Sequence, residues 1–200
     1  MTLEVIRADE ADVEVLSQVI ADAFFDLPPS PWLIADPVAR RGIFPGYFRI
    51  YVEQALFGGI VQTTAERDAV ALWLPVDPAA RAVGGADDYD RRLALATSPW
   101  TRRFVQFDRA LERSHPGDEA HHHLAILAVQ PDRQGQGVGA GLLRAYHSVL
   151  DACGAASHLE ASHPRNRQLY LRHGYVDRGE PIQLPGGPCL YPMWRAPAAA

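Results

Sequence analysis

Apolar positions along this chain follow two rhythms, every second residue and every third or fourth, with polar breaks between them. Leu3, Val5 and Arg7 alternate in a short first strand. Asp9 can cap the helix that follows, whose apolar face is Val13, Leu16, Ile20 and Phe24. Residues 26–37, DLPPSPWLIADP, read as a proline-punctuated loop carrying an unpaired Trp32. A helical region runs from Pro37 to Leu56, interrupted near Gly42 and at Pro45-Gly46, and stopped by Gly58-Gly59. Ile60 to Thr64 and Ala69 to Leu74 are two strands joined by a turn at Glu66-Arg67-Asp68. Residues 75–90 read as a loop with at most one helical turn. Ser98 as cap and Pro99 in the first turn open a helix with the stripe Trp100, Phe104, Phe107 and Leu111.

The second half starts with an apolar run, Leu124 to Val129, that reads as a buried strand. A polar turn with Pro131 follows, then glycines at alternate positions: Gly135, Gly137, Gly139 and Gly141. A helical stripe of Leu142, Tyr146, Val149, Leu150 and Cys153 comes next. Ser157 to Ala161 is a short strand, and Asn166 to His173 a short helix ended by Gly174. Tyr175 to Asp177 begins another strand. Pro185-Gly186-Gly187-Pro188 is a turn, Cys189 to Arg195 a last strand, and residues 196–200 a disordered tail. Paired strands before a βαβ-type half predict an α+β fold with a mixed sheet, in one domain over residues 1–195.

A strand, a glycine loop and a helix start together make an anion site. Glycines let backbone N–H groups approach a ligand, and the free N–H groups of the first helical turn point at it. The expected anion is the diphosphate of a nucleotide-like cofactor.

Composition narrows the chemistry. At 48% hydrophobic and 22% charged, the chain is an ordinary globular sequence. Its net charge of −5 offers no electrostatic case for nucleic acid or an anionic membrane. Every basic residue is arginine, so a Walker A loop and a pyridoxal Schiff base, which both need lysine, are excluded. Cys153 and Cys189 make no disulfide framework, and with no signal-like or membrane-length run the expected setting is the cytoplasm.

Two readings of the anion stay open on spacing alone. Residues 135–140 fit the dinucleotide pattern G-x-G-x-x-G/A, with Glu160 near the distance of a ribose acid. Against it, Gln130 to Gln134 intervene between strand and first glycine, and only sixty residues follow Ala140. The other reading is an acyl-CoA pyrophosphate loop. Gln134-Gly135-Gln136-Gly137-Val138-Gly139 resembles the Q/R-x-x-G-x-G/A motif of the GCN5-related N-acetyltransferase (GNAT) family. Val129-Gln130-Pro131 resembles its V-x-P lead-in, and Asn166 with Leu169-Tyr170 and Gly174-Tyr175 its second signature. The likeness is nearest to the puromycin N-acetyltransferase-like members. It rests on Leu159-Glu160-Ala161-Ser162, Pro164-Arg165-Asn166 and the ending from Gly186 to Arg195. It covers residues 121–195; the first hundred residues match in layout only.

The resemblance implies a GNAT fold with splayed central strands and acetyl transfer to a small-molecule amine. Residues 121–195 would hold acetyl-CoA and residues 1–114 the acceptor. The diphosphate would sit on the N–H groups of Gly135, Gln136, Gly137, Val138, Gly139 and Ala140, beside Gln134. Backbone of Leu127, Ala128 and Val129 would pair with the pantetheine arm, and Ala128 or Val129 would face the thioester oxygen. Tyr170 would be the general acid for the departing thiolate. Asn166 would either bond the pantetheine or cap its helix. Glu160 is the candidate base, directly or through water, although an amine can also lose its proton to solvent. Strand alternation puts His121 and His123 on the face of Ala125, and His123 is a candidate for the acceptor pocket. Phe24, Phe25 and Trp32 would line that pocket, with Asp22, Asp26 and Asp36 suiting a cationic amine. The histidines raise a metal hypothesis, but no CxxC or HxxxH spacing supports one, and no metal is expected. An acyl-cysteine route is disfavoured, Cys153 lying on a core stripe. A non-catalytic acyl-CoA sensor and, less favoured, a dinucleotide oxidoreductase are the alternatives, and a homodimer stays open.

Overall fold

A computed structural model describes residues 3–79 and 86–198. One sheet of eight strands organises them. Strands β1 (Val5–Arg7), β2 (Ile60–Thr64), β3 (Ala69–Val76) and β4 (His121–Val129) are antiparallel neighbours. Beyond β4 come β5 (Ser157–Ala161), β8 (Cys189–Arg195) and β6 (Val176–Asp177), and β7 (Ile182–Gln183) pairs with β8. Only β4 and β5 are parallel. No helix among the described residues is long and apolar enough to cross a membrane.

Alternation along β3 builds both layers. Val70 and Leu72 face one side, where they pack with α1 (Val13–Phe24), α3 (Pro37–Gly58) and α5 (Thr101–Glu112). Ala69, Ala71 and Trp73 face the other, under α6 (Val138–Ala152), with Tyr170 from α7 (Pro164–Arg172) in the same cluster. A capping box opens the 3-10 turn Glu10–Asp12 that leads into the opposed α1: Ala11 N–H donates to Asp9, and Asp9 N–H donates to Asp12. Asp9 thus caps this turn, and α1 itself has no side-chain cap.

Several elements differ from the sequence expectation. The proline-rich loop holds a short helix, α2 (Pro29–Leu33). Trp32 is not unpaired: its Nε1–H donates to the Pro185 carbonyl at 3.1 Å, and Arg103 stacks on the ring. Helix α3 runs unbroken through Gly42 and Pro45. A mid-helix proline costs about 3 kcal/mol, but Phe44, Tyr47, Phe48, Ile50 and Val52 are all buried on this segment. At about 1.5–3 kcal/mol for each large side chain, that burial outweighs the loss. Of the expected loop over 75–90, residues 77–79 are a turn, but 75–76 end β3 and 86–90 start α4 (Ala86–Thr97), with 80–85 outside the described residues. Ser98 does not cap α5, which starts at Thr101 behind Trp100 with no side-chain cap. On α6, Val149 and Cys153 are exposed, so the buried stripe is Leu142, Leu143, Tyr146 and Leu150. Of the expected tail, Ala198 N–H is tied to Asp151.

The feature that positions the site lies in β4. Opposite the Leu72–Trp73 step β4 carries one extra residue, Ala125, as a bulge. Before the bulge His122 and Leu124 face α6; after it Leu127 and Val129 do. Bulges bend their strand and sharpen its twist. Pairing with β5 ends at His123–His158, just before the bulge. From there β4 and β5 part and leave a wedge between them.

Candidate active site

At the far end of β4 the chain turns into the glycine loop. Gly135 and Gly137 adopt φ of 76° and 84°, a left-handed region that other residues enter at a cost. Gly137 is the N-cap of α6, and no side chain caps that end. The first N–H groups of α6 are thus left for a ligand at the positive end of the helix. Gln134 and Gln136 do not reach outward. Their side-chain amides donate to the Val129 and Asp132 carbonyls, each at 3.0 Å, and brace the loop. Gly141 has a packing role, since a Cβ there would lie 2.3 Å from Leu3 Cδ2.

A groove of about 610 Å³ runs from this loop past Val129 to α7, with Arg165 and Arg172 along it. Through the wedge it meets a smaller cavity of about 130 Å³. That cavity is walled by Phe24, Phe44, Tyr47, Phe107, His123 and Glu160. Leu127, Asn166 and Tyr170 line both spaces, so they stand where the two join.

Ladder alternation sorts the β4 backbone. Gln130 N–H donates to the Asp68 carbonyl on the β3 side. In an antiparallel pair, N–H groups two residues apart point the same way, so Ala128 also turns to β3. Leu127 and Val129 turn to the wedge. Ala128 therefore does not offer its N–H to the wedge, and Val129 does.

Tyr170 is buried at the junction and packs edge-on against Tyr175 at 5.7 Å. No hydrogen bond among the described residues ends on its hydroxyl. Burial, with Tyr175 beside it, pushes the phenol pKa up, so it stays protonated and can donate. Asn166 is inside the first turn of α7, whose cap is His163, which accepts from Arg165 N–H. Asn166 is thus free of the capping role.

Glu160 sits inside a ring of imidazoles. Its carboxylate meets His123 Nε2 and His158 Nε2, each at 2.9 Å, and His115 Nδ1 at 3.7 Å. Burial alone would raise its pKa; the imidazoles facing it, His123 foremost, outweigh that and hold it well below the usual carboxylate range. An anion so stabilised is a weak direct base, and it is closed to a ribose. Its geometry suits orienting His123, which keeps Nδ1 without a protein partner among the described residues.

Of the other expected pocket residues, Phe24 and His123 line the cavity and two aromatics do not. Phe25 lies between the guanidinium groups of Arg40 and Arg41, at 4.5 and 4.6 Å. Trp32 packs on Gly187. Asp36 caps α3, while Asp22 and Asp26 line the outer groove. Neither cysteine lines groove or cavity.

Sequence reasoning missed a polar cluster that reaches the cavity through Tyr47 and Tyr51 and is backed by Tyr89 and Asp108. Tyr47 and Tyr51 hydroxyls are 3.0 Å apart, and Tyr51 and Tyr89 converge on Asp108 at 3.5 and 2.9 Å. These residues come from three helices, so no local motif marks them. Burial raises the Asp108 carboxyl to about 6, against the lowering effect of the tyrosine hydrogen bonds. The folded protein then binds an extra proton between about pH 4 and 6, so this group favours folding at acid pH and costs stability as pH rises. Asp108→Asn is expected to remove that slope. Relative to wild type it should gain on the order of 1 kcal/mol at pH 7 over pH 4, allowing for partial exposure. Urea denaturation at both pH values checks this.

Residues 103–177 match the family model for the acetyltransferase (GNAT) domain. Over the whole chain the structure is similar to a histone acetyltransferase HPA2 and related acetyltransferase of Corynebacterium glutamicum. The TM-score is 0.74 at 27% identity, covering 100% of this chain and 99% of that one. Arylalkylamine N-acetyltransferase 2 of Aedes aegypti matches at 0.68 and 11% identity, covering 98% and 99%. The ribosomal-protein-S18-alanine N-acetyltransferase of Escherichia coli matches at 0.53 and 16%, covering 99% and 96%. The fold is the GNAT fold. A doubly wound dinucleotide domain is thereby set aside: in this GNAT sheet the parallel contact is confined to two residue pairs of β4 and β5.

Proposed function

We propose that this protein is an N-acetyltransferase that moves an acetyl group from acetyl-CoA to the amine of a small, partly aromatic molecule. The observation that carries this reading is the wedge between β4 and β5, which joins the glycine-loop groove to the aromatic cavity at Tyr170 and Asn166. The groove fits the donor: uncapped helical N–H groups suit a diphosphate, and arginines along it suit a further phosphate. The wedge leaves strand-edge backbone that can bond an extended pantetheine-like amide chain.

His123, oriented by Glu160, takes a proton from the incoming amine. The freed nitrogen lone pair then forms the new C–N bond at the thioester carbon, and the adduct's nitrogen sheds its remaining extra proton to solvent as the amide forms. Val129 N–H stabilises the charge that develops on the carbonyl oxygen. As the C–S bond breaks, Tyr170 gives its proton to the leaving sulfur and regains one afterwards from solvent or His123.

The cavity volume and walls limit the acceptor. A volume of about 130 Å³ lined by aromatic rings suits one ring-sized apolar group, since engineered cavities near 150 Å³ bind benzene. The resemblance to puromycin N-acetyltransferase-like members makes aminonucleosides the first compounds to include. Thiol release from acetyl-CoA, measured across a panel of amines, tests the proposal. Turnover is expected with arylalkyl amines or aminonucleosides and to be absent with purely hydrophilic diamines. If no amine releases thiol, catalysis is refuted and an acyl-CoA-binding role takes its place.

A further inference from the structure

The fold brings together a set of side chains that the sequence keeps far apart. His115 comes from the turn after α5, His121 and His123 from β4, and His158 and Glu160 from β5. We propose that His115, His158 and Glu160 form a binding site for a divalent transition metal of the zinc class, with water as fourth ligand.

The distances suit such an ion. Ligand atoms held about 2.0–2.2 Å from tetrahedral zinc stand about 3.3 Å from one another. Glu160 Oε1 lies 2.9 Å from His158 Nε2 and 3.7 Å from His115 Nδ1, on either side of that value. All three ligand atoms lie within 4.8 Å of one another. Two imidazoles and one carboxylate favour zinc, copper or nickel over magnesium or calcium, which prefer oxygen alone.

Proton bookkeeping points the same way. His121 Nδ1 is 2.8 Å from the Glu119 carbonyl, which only accepts, so Nδ1 carries the proton. In the neutral ring His121 Nε2 is then a lone pair, and it faces His115 Nε2 at 3.2 Å. A neutral His115 ring then donates from Nε2 and leaves Nδ1 bare. That bare nitrogen is the one turned toward the Glu160 carboxylate. Two acceptors confront each other across a gap that a cation fills. His121 and Glu119 at the same time supply the outer hydrogen bonds that orient a metal-bound histidine.

His158 is fully buried, and its Nδ1 has no partner. Without an ion, Nε2–H donates to Glu160 Oε1 at 2.9 Å; an ion seated between them displaces that proton to the unpartnered Nδ1 and takes the Nε2 lone pair. Glu160 uses different oxygens for its two tasks, Oε1 toward the site and Oε2 toward His123. The route in passes His115, whose side chain is 24% exposed against 6% for Glu160.

The test is binding and does not depend on acetyl transfer. Tag-free full-length protein is titrated with Zn²⁺ by calorimetry and with Co²⁺ by visible absorption. One ion per chain and a tetrahedral Co²⁺ spectrum are expected. His115→Ala should weaken Zn²⁺ binding by at least about tenfold, a loss that removal of outer-shell partners alone can reach. His173→Ala, outside the cluster, should leave it unchanged. Circular dichroism checks folding, and His115→Asn replaces the alanine variant if that one fails to fold. Absence of saturable binding in wild type, or equal affinity in wild type and the His115 variant, overturns the proposal.

Discussion

Tyr170→Phe is expected to lower kcat for acetyl transfer by about 100-fold or more, the range for removal of a positioned general acid. The affinity for acetyl-CoA should hold within about threefold. The phenylalanine ring keeps the edge-on contact with Tyr175 and fills the same space between groove and cavity. Only the hydroxyl is lost, and no protein group among the described residues depends on it. The loss therefore falls on the transition state, where sulfur needs a proton, and leaves ground-state binding alone. Stopped thiol-release kinetics with the best amine of the panel, alongside a thermal melt, checks this. An unchanged kcat removes Tyr170 from the acid role.

The largest effect on stability is expected at Trp73. This residue is fully buried on β3, stacks on Tyr146 of α6 at 4.5 Å, and donates from Nε1 to Gln62 Oε1 at 3.1 Å. Trp73→Ala removes the ring from the layer under α6 and leaves the buried Gln62 carbonyl unpaired. A cavity-forming change of this size costs about 3–5 kcal/mol, a large share of the 5–15 kcal/mol that holds a typical domain together. Trp73→Phe keeps most of the stacking and should lose about half as much or less. Trp73 also lies at the step opposite the Ala125 bulge, so the alanine variant is expected to loosen the wedge and weaken acetyl-CoA binding as well. Urea unfolding of the three proteins ranks them.

Where a local pattern carried the information, the sequence was readable. Strands β5 and β8 have the bounds that alternation and flanking turns imply, because both are short and framed by glycine or proline. The glycine loop was readable as a turn into a helix because left-handed backbone at Gly135 and Gly137 and an uncapped helix start suit those residues in that order. The position of Tyr170 and Asn166 beside the groove was readable only through resemblance. The bulge was not readable: in the run from Leu124 to Val129 every residue is apolar, so a change of facing leaves no polar mark. Helix α3 was misread at Pro45 because the aromatic burial that outweighs the proline is tertiary. Cys153 does not extend the core stripe because α6 ends at Ala152 and Cys153 is its exposed C-cap. The Tyr47–Tyr51–Tyr89–Asp108 cluster and the His115–Glu160 contact join residues far apart in the chain, and single-sequence spacing says nothing of them. Glu160 does line the cavity, but its contacts with His115, His123 and His158 make it a buried, paired anion.

The proposed function requires that the wedge and glycine loop hold acetyl-CoA. Thermal unfolding of the full chain with acetyl-CoA, and separately with NAD, at about 100 times the dissociation constant expected for a cofactor tests it most directly. Binding to the folded state alone should add about 2.7 kcal/mol, or roughly 5–10 °C in Tm for a chain of this size. The predicted result is that rise with acetyl-CoA, its loss in Gly137→Val, and no shift with NAD. Stabilisation by NAD and none by acetyl-CoA would contradict the account.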